Sequence, residues 1–266
     1  MRLLQLLQPK KVLLEDQCVA AGIVTEVLLE LKALTKPGVS LDMLDELAER
    51  MIRERGATPY SKGYHPKWAP EPYPSTLCCS VDHEICHAPP GGRYLQEGSV
   101  VKYDLGVKYK TGCGDAAITV PVGNVDNRKN RAMRYGLRAL YEGITVVRAG
   151  VPVSAIGRAI ENFSNSRGYK VIREFGGHHI GKEMHENPLI PHVPYPEDDK
   201  VLLQEGSIIC IEPMITPGKG QMRVWKDGWT AYVTDGQPVV MFEHMILVKK
   251  DGYEILTKHL DQNAFL

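Results

Sequence analysis

A twelve-residue phrase occurs twice in this chain, as LQEGSVVKYDLG from Leu95 to Gly106 and as LQEGSIICIEPM from Leu203 to Met214. In register, Leu95 pairs with Leu203, Gly98 with Gly206 and Asp104 with Glu212. Self-similarity of this kind restricts the chain to a fold built from repeated units. Each copy ends its apolar run on a carboxylate, so two acids occupy the same point of two copies of one unit. If the copies meet at a seam, those acids meet there, and such a place has the makings of a metal site.

The duplication extends upstream. Gly38 to Gly56 and Gly150 to Gly168 are both intervals of 18 positions, and their apolar residues coincide: Leu41, Leu44, Leu47, Ala48 and Met51 against Val153, Ile156, Ala159, Ile160 and Phe163. Spacing of i, i+3 and i+7 places each set on one helix face, and each helix stops at a glycine suited to the left-handed C′ position. A further helix precedes each, over about Lys10 to Thr35 and about Asn127 to Arg148. Short β-branched runs bounded by turns then predict strands at Val100 to Val107, Ala117 to Pro121, Ile208 to Ile211, Val239 to Val248 and Glu254 to Thr257. Two helices followed by antiparallel strands, twice over, predict an α+β fold with pseudo-twofold symmetry and helices on the outer face of a curved sheet. The halves cover about 10–125 and 126–257. Thr58 to Ser75 and Asn187 to Lys200 are dense in proline and are expected as surface loops.

Composition narrows the function. A chain of 266 residues, 43 % apolar and 24 % charged, can bury a core of its own. Its formal charge of zero gives no electrostatic reason to bind nucleic acid or an anionic membrane, so affinity must come from a shaped site. The apolar run before Pro9 is too short for a signal-peptide core or a membrane span, and the chain reads as soluble and cytoplasmic. Cys18, Cys78, Cys79, Cys86, Cys113 and Cys210 contain no C-x-x-C pair and read as reduced thiols.

The chemistry lies in acids and histidines. Asp104 and Asp115 flank Lys110-Thr111-Gly112 in what reads as a hairpin carrying both carboxylates inward. That pair could share a cation, although Asp115 is equally readable as a turn residue and Asp104 as half of a buried ion pair. His178 and His179 lie in the glycine-rich segment Gly176 to Gly181, where backbone can approach a ligand closely, and His185 follows. Glu212 ends the second copy of the repeat, and Glu243 is an acid inside the apolar run Val239 to Val248, which reads as a central strand. Any one of these would be an ordinary polar core residue. Five of them on inward strand positions of two related halves form a candidate ligand set.

The contexts YDLG, GCGDA, GGHHIG, IEPM and FEHM, with ICHAP around His87, MHENP around His185 and KDGWT at Lys226 to Thr230, resemble the type I methionine aminopeptidases, which have the pita-bread fold. The resemblance covers nearly the whole chain and implies a single catalytic domain over residues 1–266. It places the family's metal ligands on Asp104, Asp115, His178, Glu212 and Glu243, with Asp115 and Glu243 bridging two divalent ions, Asp104 on one ion, and His178 and Glu212 on the other. Mostly hard donors suit Mn, Fe, Co or Zn, and a water shared by two ions roughly 3.5 to 4 Å apart would ionise near neutral pH. The resemblance further implies Glu212 as acceptor of that proton, His185 as partner of the substrate carbonyl as negative charge develops, and His87 as a contact to the scissile nitrogen that helps protonate it.

Tyr73, Cys78, Met184 and Trp229 occupy positions that in the family line the pocket for an N-terminal methionine, and each is also readable as ordinary packing. Three features depart from the family pattern: Met184 stands where phenylalanine is typical, His179 replaces a glycine, and Ser61 to Pro74 does not align. The implied partners are N-termini of peptides or nascent proteins, with action near the ribosome, as a cytoplasmic monomer without nucleic acid or membrane. Two competing readings share the fold: an X-Pro peptidase or specialised paralogue with the same ligands, and a non-catalytic binding module. X-Pro relatives normally carry an extra N-terminal domain, whereas two helices and a loop account for the chain before Asp104. Dead members lose ligands, and none of the five is missing.

Overall fold

A computed structural model describes residues 11–261, so the apolar run before Pro9, and Lys10 at the expected helix start, lie outside the described residues. The first half contains helices α1 (Lys11–Leu34) and α2 (Leu41–Glu54), then strands β1 (Thr58–Pro59), β2 (Cys78–Val81), β3 (Glu84–Cys86), β4 (Val100–Tyr109) and β5 (Gly112–Pro121). The second half repeats the order with α3 (Asn127–Thr145), α4 (Ser154–Ser166), β6 (Lys170–Val171), β7 (Gly176–His179), β8 (Glu186–Pro191), β9 (Ile208–Ile211), β10 (Met214–Thr216), β11 (Met222–Val224), β12 (Ala231–Val233), β13 (Val240–Met241), β14 (His244–Lys249) and β15 (Gly252–Ile255). Ser40 and Asp126 cap α2 and α3 by accepting from the amides of Met43 and Lys129. Gly56 and Gly168 follow α2 and α4 with φ of 71° and 77°, as the left-handed stop requires.

The repeated phrase makes the same hydrogen bonds twice. Gly38 N–H donates to Leu95 O at 2.8 Å and Gly150 N–H to Leu203 O at 2.8 Å; Gly98 N–H reaches Val122 O and Gly206 N–H reaches Val248 O, both at 2.9 Å. Gly98 and Gly206 hold φ of 82° and 83°, which explains why both copies need glycine there. Each half also has its own core. Leu28, Leu31, Leu44, Ile52 and Tyr103 are among the residues that pack together in the first. Leu140, Ile144, Ile156, Ile160, Ile209 and Ile211 do so in the second. At about 1.5–3 kcal/mol for each large side chain removed from water, either core is a substantial driving force.

The β4–β5 hairpin runs from Val100↔Pro121 to Tyr109↔Gly112, so β5 starts five residues before the expected Ala117. Gly112 and Gly114 lower strand propensity, yet both are required. A Cβ on Gly112 would lie 2.7 Å from Gln17 N, and one on Gly114 would lie 2.5 Å from Ala20 C, because α1 packs directly on this strand.

Other expectations need correcting. The run Val239 to Val248 is not one strand: it is interrupted at Phe242-Glu243, opposite an interruption at Glu212-Pro213 between β9 and β10. Met214↔Met241 and Ile211↔His244 pair on either side of the gap. Pro213 has no N–H to give a ladder there. Asn187 to Lys200 is also not simply a loop: Glu186–Pro191 is strand β8, paired with β7, and Pro196–Lys200 is a short 3-10 turn. β15 begins two residues before the expected Glu254.

Among the described residues the ladders fall into four sheets, the largest in the order β15-β14-β9-β7-β8. β5 joins the second half through Glu243 N–H to Ala117 O at 2.9 Å and through Thr119 Oγ1 to Met241 O at 2.6 Å. That contact is the seam.

Candidate metal centre

β4 and β5 carry the first pair of acids. Asp104 lies opposite Ala117, and Asp115 lies opposite Gly106, so the two aspartates are diagonal neighbours on one face of the hairpin. β7 brings His178, and the matched interruptions bring Glu212 and Glu243 from the second half. All five line one cavity of about 490 Å³. His178 Nε2 lies 3.6 Å from Asp115 Oδ2 and 3.7 Å from Glu212 Oε1. Ligand atoms of Asp115, His178, Cys210 and Glu243 lie within 4.8 Å of one another. The five expected residues therefore converge.

Their electrostatics are unbalanced. Burial, then the neighbouring Asp115, raises the Asp104 carboxyl well above its ordinary range; burial and the other acids do the same to Glu212 and Glu243. Burial pushes Asp115 up to about 7. Burial also pushes His178 and His87 down to about 4, so both rings are neutral at physiological pH. Among the described residues, no lysine or arginine lines the cavity. Four carboxylates without a positive partner, one with Glu243 Oε1 buried and unbonded to any protein group, fit a site for divalent cations.

His185 faces the centre across the His178 ring, with centroids 4.5 Å apart. Burial and then His178 lower its pKa. His87 has φ of 59° and packs edge-on against Phe175 at 5.5 Å. Both histidines line the cavity. Tyr73, Cys78 and Trp229 form one small cluster on its wall, with the rings of Tyr73 and Trp229 5.0 Å apart. Asp227 of the KDGWT turn accepts from the amides of Trp229 and Thr230, both at 2.9 Å, and so orients the tryptophan. Met184 comes from the other side and lies over Gly106, where a Cβ would be 2.4 Å from its Cε. His179 points elsewhere: its Nδ1 is bonded to Glu186 Oε2 at 3.0 Å, and it does not line the cavity.

Three contributions escaped the sequence. Tyr64 and Trp68, from the segment that does not align, line the cavity, and Trp68 stands 5.1 Å from Trp229. Cys210, buried in β9, stands beside Asp115, His178 and Glu243, and its place two residues before Glu212 is the signal the sequence holds. His192 had no signal: it follows β8 in the segment expected as a loop, yet it is buried and accepts the amides of Gly177 and Glu212 on Nε2.

Residues 18–250 match Metallopeptidase family M24, and the chain belongs to that family. Its fold is accordingly the pita-bread fold. The chain is 35% identical to methionine aminopeptidase 1 of Bacillus subtilis over 229 residues, covering 86% of this chain and 90% of the relative. It is 36% identical to the methionine aminopeptidase of Mycoplasma capricolum over 241 residues, covering 90% and 93%. The crystal structure of methionine aminopeptidase from Rickettsia prowazekii superposes with a TM-score of 0.89 at 30% identity, covering 95% of this chain and 100% of that one.

Proposed function

We propose that this chain is a metal-dependent methionine aminopeptidase that removes the N-terminal methionine from peptides and nascent proteins with a small second residue. The observation that carries the reading is the convergence of Asp104, Asp115, His178, Glu212 and Glu243 in one cavity that no lysine or arginine among the described residues lines, beside a wall of Tyr73, Cys78, Met184 and Trp229. These five residues would hold two divalent ions, with Asp115 and Glu243 bridging. Ions bound there would supply Lewis acidity and a water that ionises near neutral pH.

The chain's own groups supply the rest. Glu212, just past the end of β9 and lining the cavity, accepts the proton of the attacking water. His185 donates to the carbonyl oxygen as negative charge grows on it. His87, packed against the ring of Phe175, contacts the scissile nitrogen and helps protonate it as the amine leaves. The aromatic and sulfur wall takes the methionine thioether. The two halves, about 10–125 and 126–257, act as one catalytic domain, in the cytoplasm and as a monomer.

The test is to load the protein with Mn, Fe, Co or Zn in turn and follow Met-Ala-Ser, other Xaa-Ala-Ser peptides and Xaa-Pro-Ser by mass spectrometry. Methionine release from Met-Ala-Ser, abolished by Asp104→Asn, supports the reading. Release of other N-terminal residues at similar rates overturns the methionine assignment, and preference for Xaa-Pro-Ser reassigns the enzyme.

A further inference from the structure

His192 lies outside the cavity and belongs to neither the ligand set nor the pocket. Its ring is 1 % exposed. Gly177 N–H donates to its Nε2 at 3.1 Å, and Glu212 N–H donates to the same nitrogen at 3.2 Å. Nε2 must therefore carry no hydrogen, and the ring proton sits on Nδ1, which finds no protein partner. The ladder between β7 and β9 pairs only His179 with Ile209, and β9 ends at Ile211. The amides of Gly177 and Glu212 consequently lie where pairing between β7 and β9 has run out, although Gly177 stays in register with Ile190 of β8, and one imidazole lone pair serves both.

The two amides are not arbitrary. Gly177 immediately precedes His178, and Glu212 is itself a proposed ligand, the two being assigned to one ion. The distance from His178 Nε2 to Glu212 Oε1 is 3.7 Å. We propose that His192 is a positioning residue that ties β7 to the end of β9 and so sets the spacing of His178 and Glu212 for that ion. The inference rests on the metal-site reading above. Partners that orient ligands in this way typically contribute about 10–100-fold to metal affinity.

The test is titration of the metal-free full chain with Mn²⁺ by calorimetry, with wild type, His192→Leu, His192→Gln and Ile190→Ala compared. A glutamine Oε1 reaches about as far as a histidine Nε2 and can accept both amides, whereas leucine accepts neither. His192→Leu is expected to weaken one of two Mn²⁺ sites by at least about 10-fold and leave the other within about 3-fold, and His192→Gln is expected to restore it. Ile190→Ala, a neighbouring core truncation, is expected to lower the melting temperature without changing either affinity. The Co²⁺-loaded proteins give a second readout, since the visible absorption of one ion should change in His192→Leu and return in His192→Gln. If His192→Leu does not fold, His192→Asn replaces it, because its shorter amide cannot reach both donors. Unchanged Mn²⁺ affinities in the leucine or asparagine variant, equal loss at both sites, or failure of glutamine to rescue overturns the role. A wild-type chain that binds no Mn²⁺ overturns the metal-site reading instead.

Discussion

Replacing Asp115 by asparagine should make the metal-free protein more stable at neutral pH while destroying its response to metal. Burial raises this carboxyl from an ordinary value of 3.8 to about 7. A group whose folded pKa is raised contributes stability below the unfolded value, and that contribution is lost as pH climbs through the folded one. The metal-free chain should therefore weaken between about pH 4 and pH 7. Three units at 1.36 kcal/mol each amount to about 4 kcal/mol held against folding at pH 7.5 by Asp115 together with the buried acids it titrates with. Asparagine keeps the shape and the acceptor oxygen, so it should recover about 2–4 kcal/mol at pH 7.5 and almost nothing at pH 4. With 2–4 °C per kcal/mol for a chain near this size, the melting temperature of chelator-treated Asp115→Asn should rise by roughly 4–16 °C at pH 7.5. Excess Mn²⁺ should reverse the order, since a ligand at about 100 times its Kd adds about 2.7 kcal/mol to wild type and little to the variant. The assay is calorimetric melting at pH 4 and 7.5, with chelator and with Mn²⁺. A metal-free variant that melts at or below wild type at pH 7.5 would refute the argument that uncompensated carboxylates strain this site.

Two further outcomes follow from contacts in the site. Gly177→Ala would put a Cβ 2.0 Å from Cys210 O, a backbone atom that cannot swing away, so β7 and β9 must separate. Roughly 3 kcal/mol of stability should be lost, read by urea unfolding; a loss below about 0.5 kcal/mol would show that the strands have slack. Trp229→Ala removes the ring that Tyr73 and Trp68 pack against, and should lower kcat/KM for Met-Ala-Ser by about 10–100-fold through lost binding of the methionine side chain, with Mn²⁺ affinity unchanged. Equal loss for Met and non-Met peptides would remove Trp229 from the specificity wall.

Much of this architecture was legible because duplication writes itself into the sequence. The LQEGS phrase predicts like turns in the two copies, and the paired hydrogen bonds of Gly98 and Gly206 bear that out, although Asp104 lies inside β4 and Glu212 just past the end of β9. The helices were legible from apolar spacing and terminal glycines, to within a few residues at most ends. The sequence predicts too short a β5 because glycine is a poor strand former, and only the approach of α1 explains Gly112 and Gly114. β8 was hidden by its prolines, which an edge strand tolerates on its unpaired side.

By itself the sequence determined the local chemistry: which residues are acids or imidazoles, which segments alternate, and where the chain must take a left-handed turn. Tertiary structure decided how those groups meet. It interrupted two strands at the same level so that Glu212 and Glu243 enter one cavity, and it brought Tyr64 and Trp68 from a loop to the pocket wall. It also placed a buried imidazole, His192, under two backbone amides far from it in the chain. Periodicity reports which face a side chain occupies, whereas distances across a seam depend on packing between elements distant in sequence, and no local pattern encodes them.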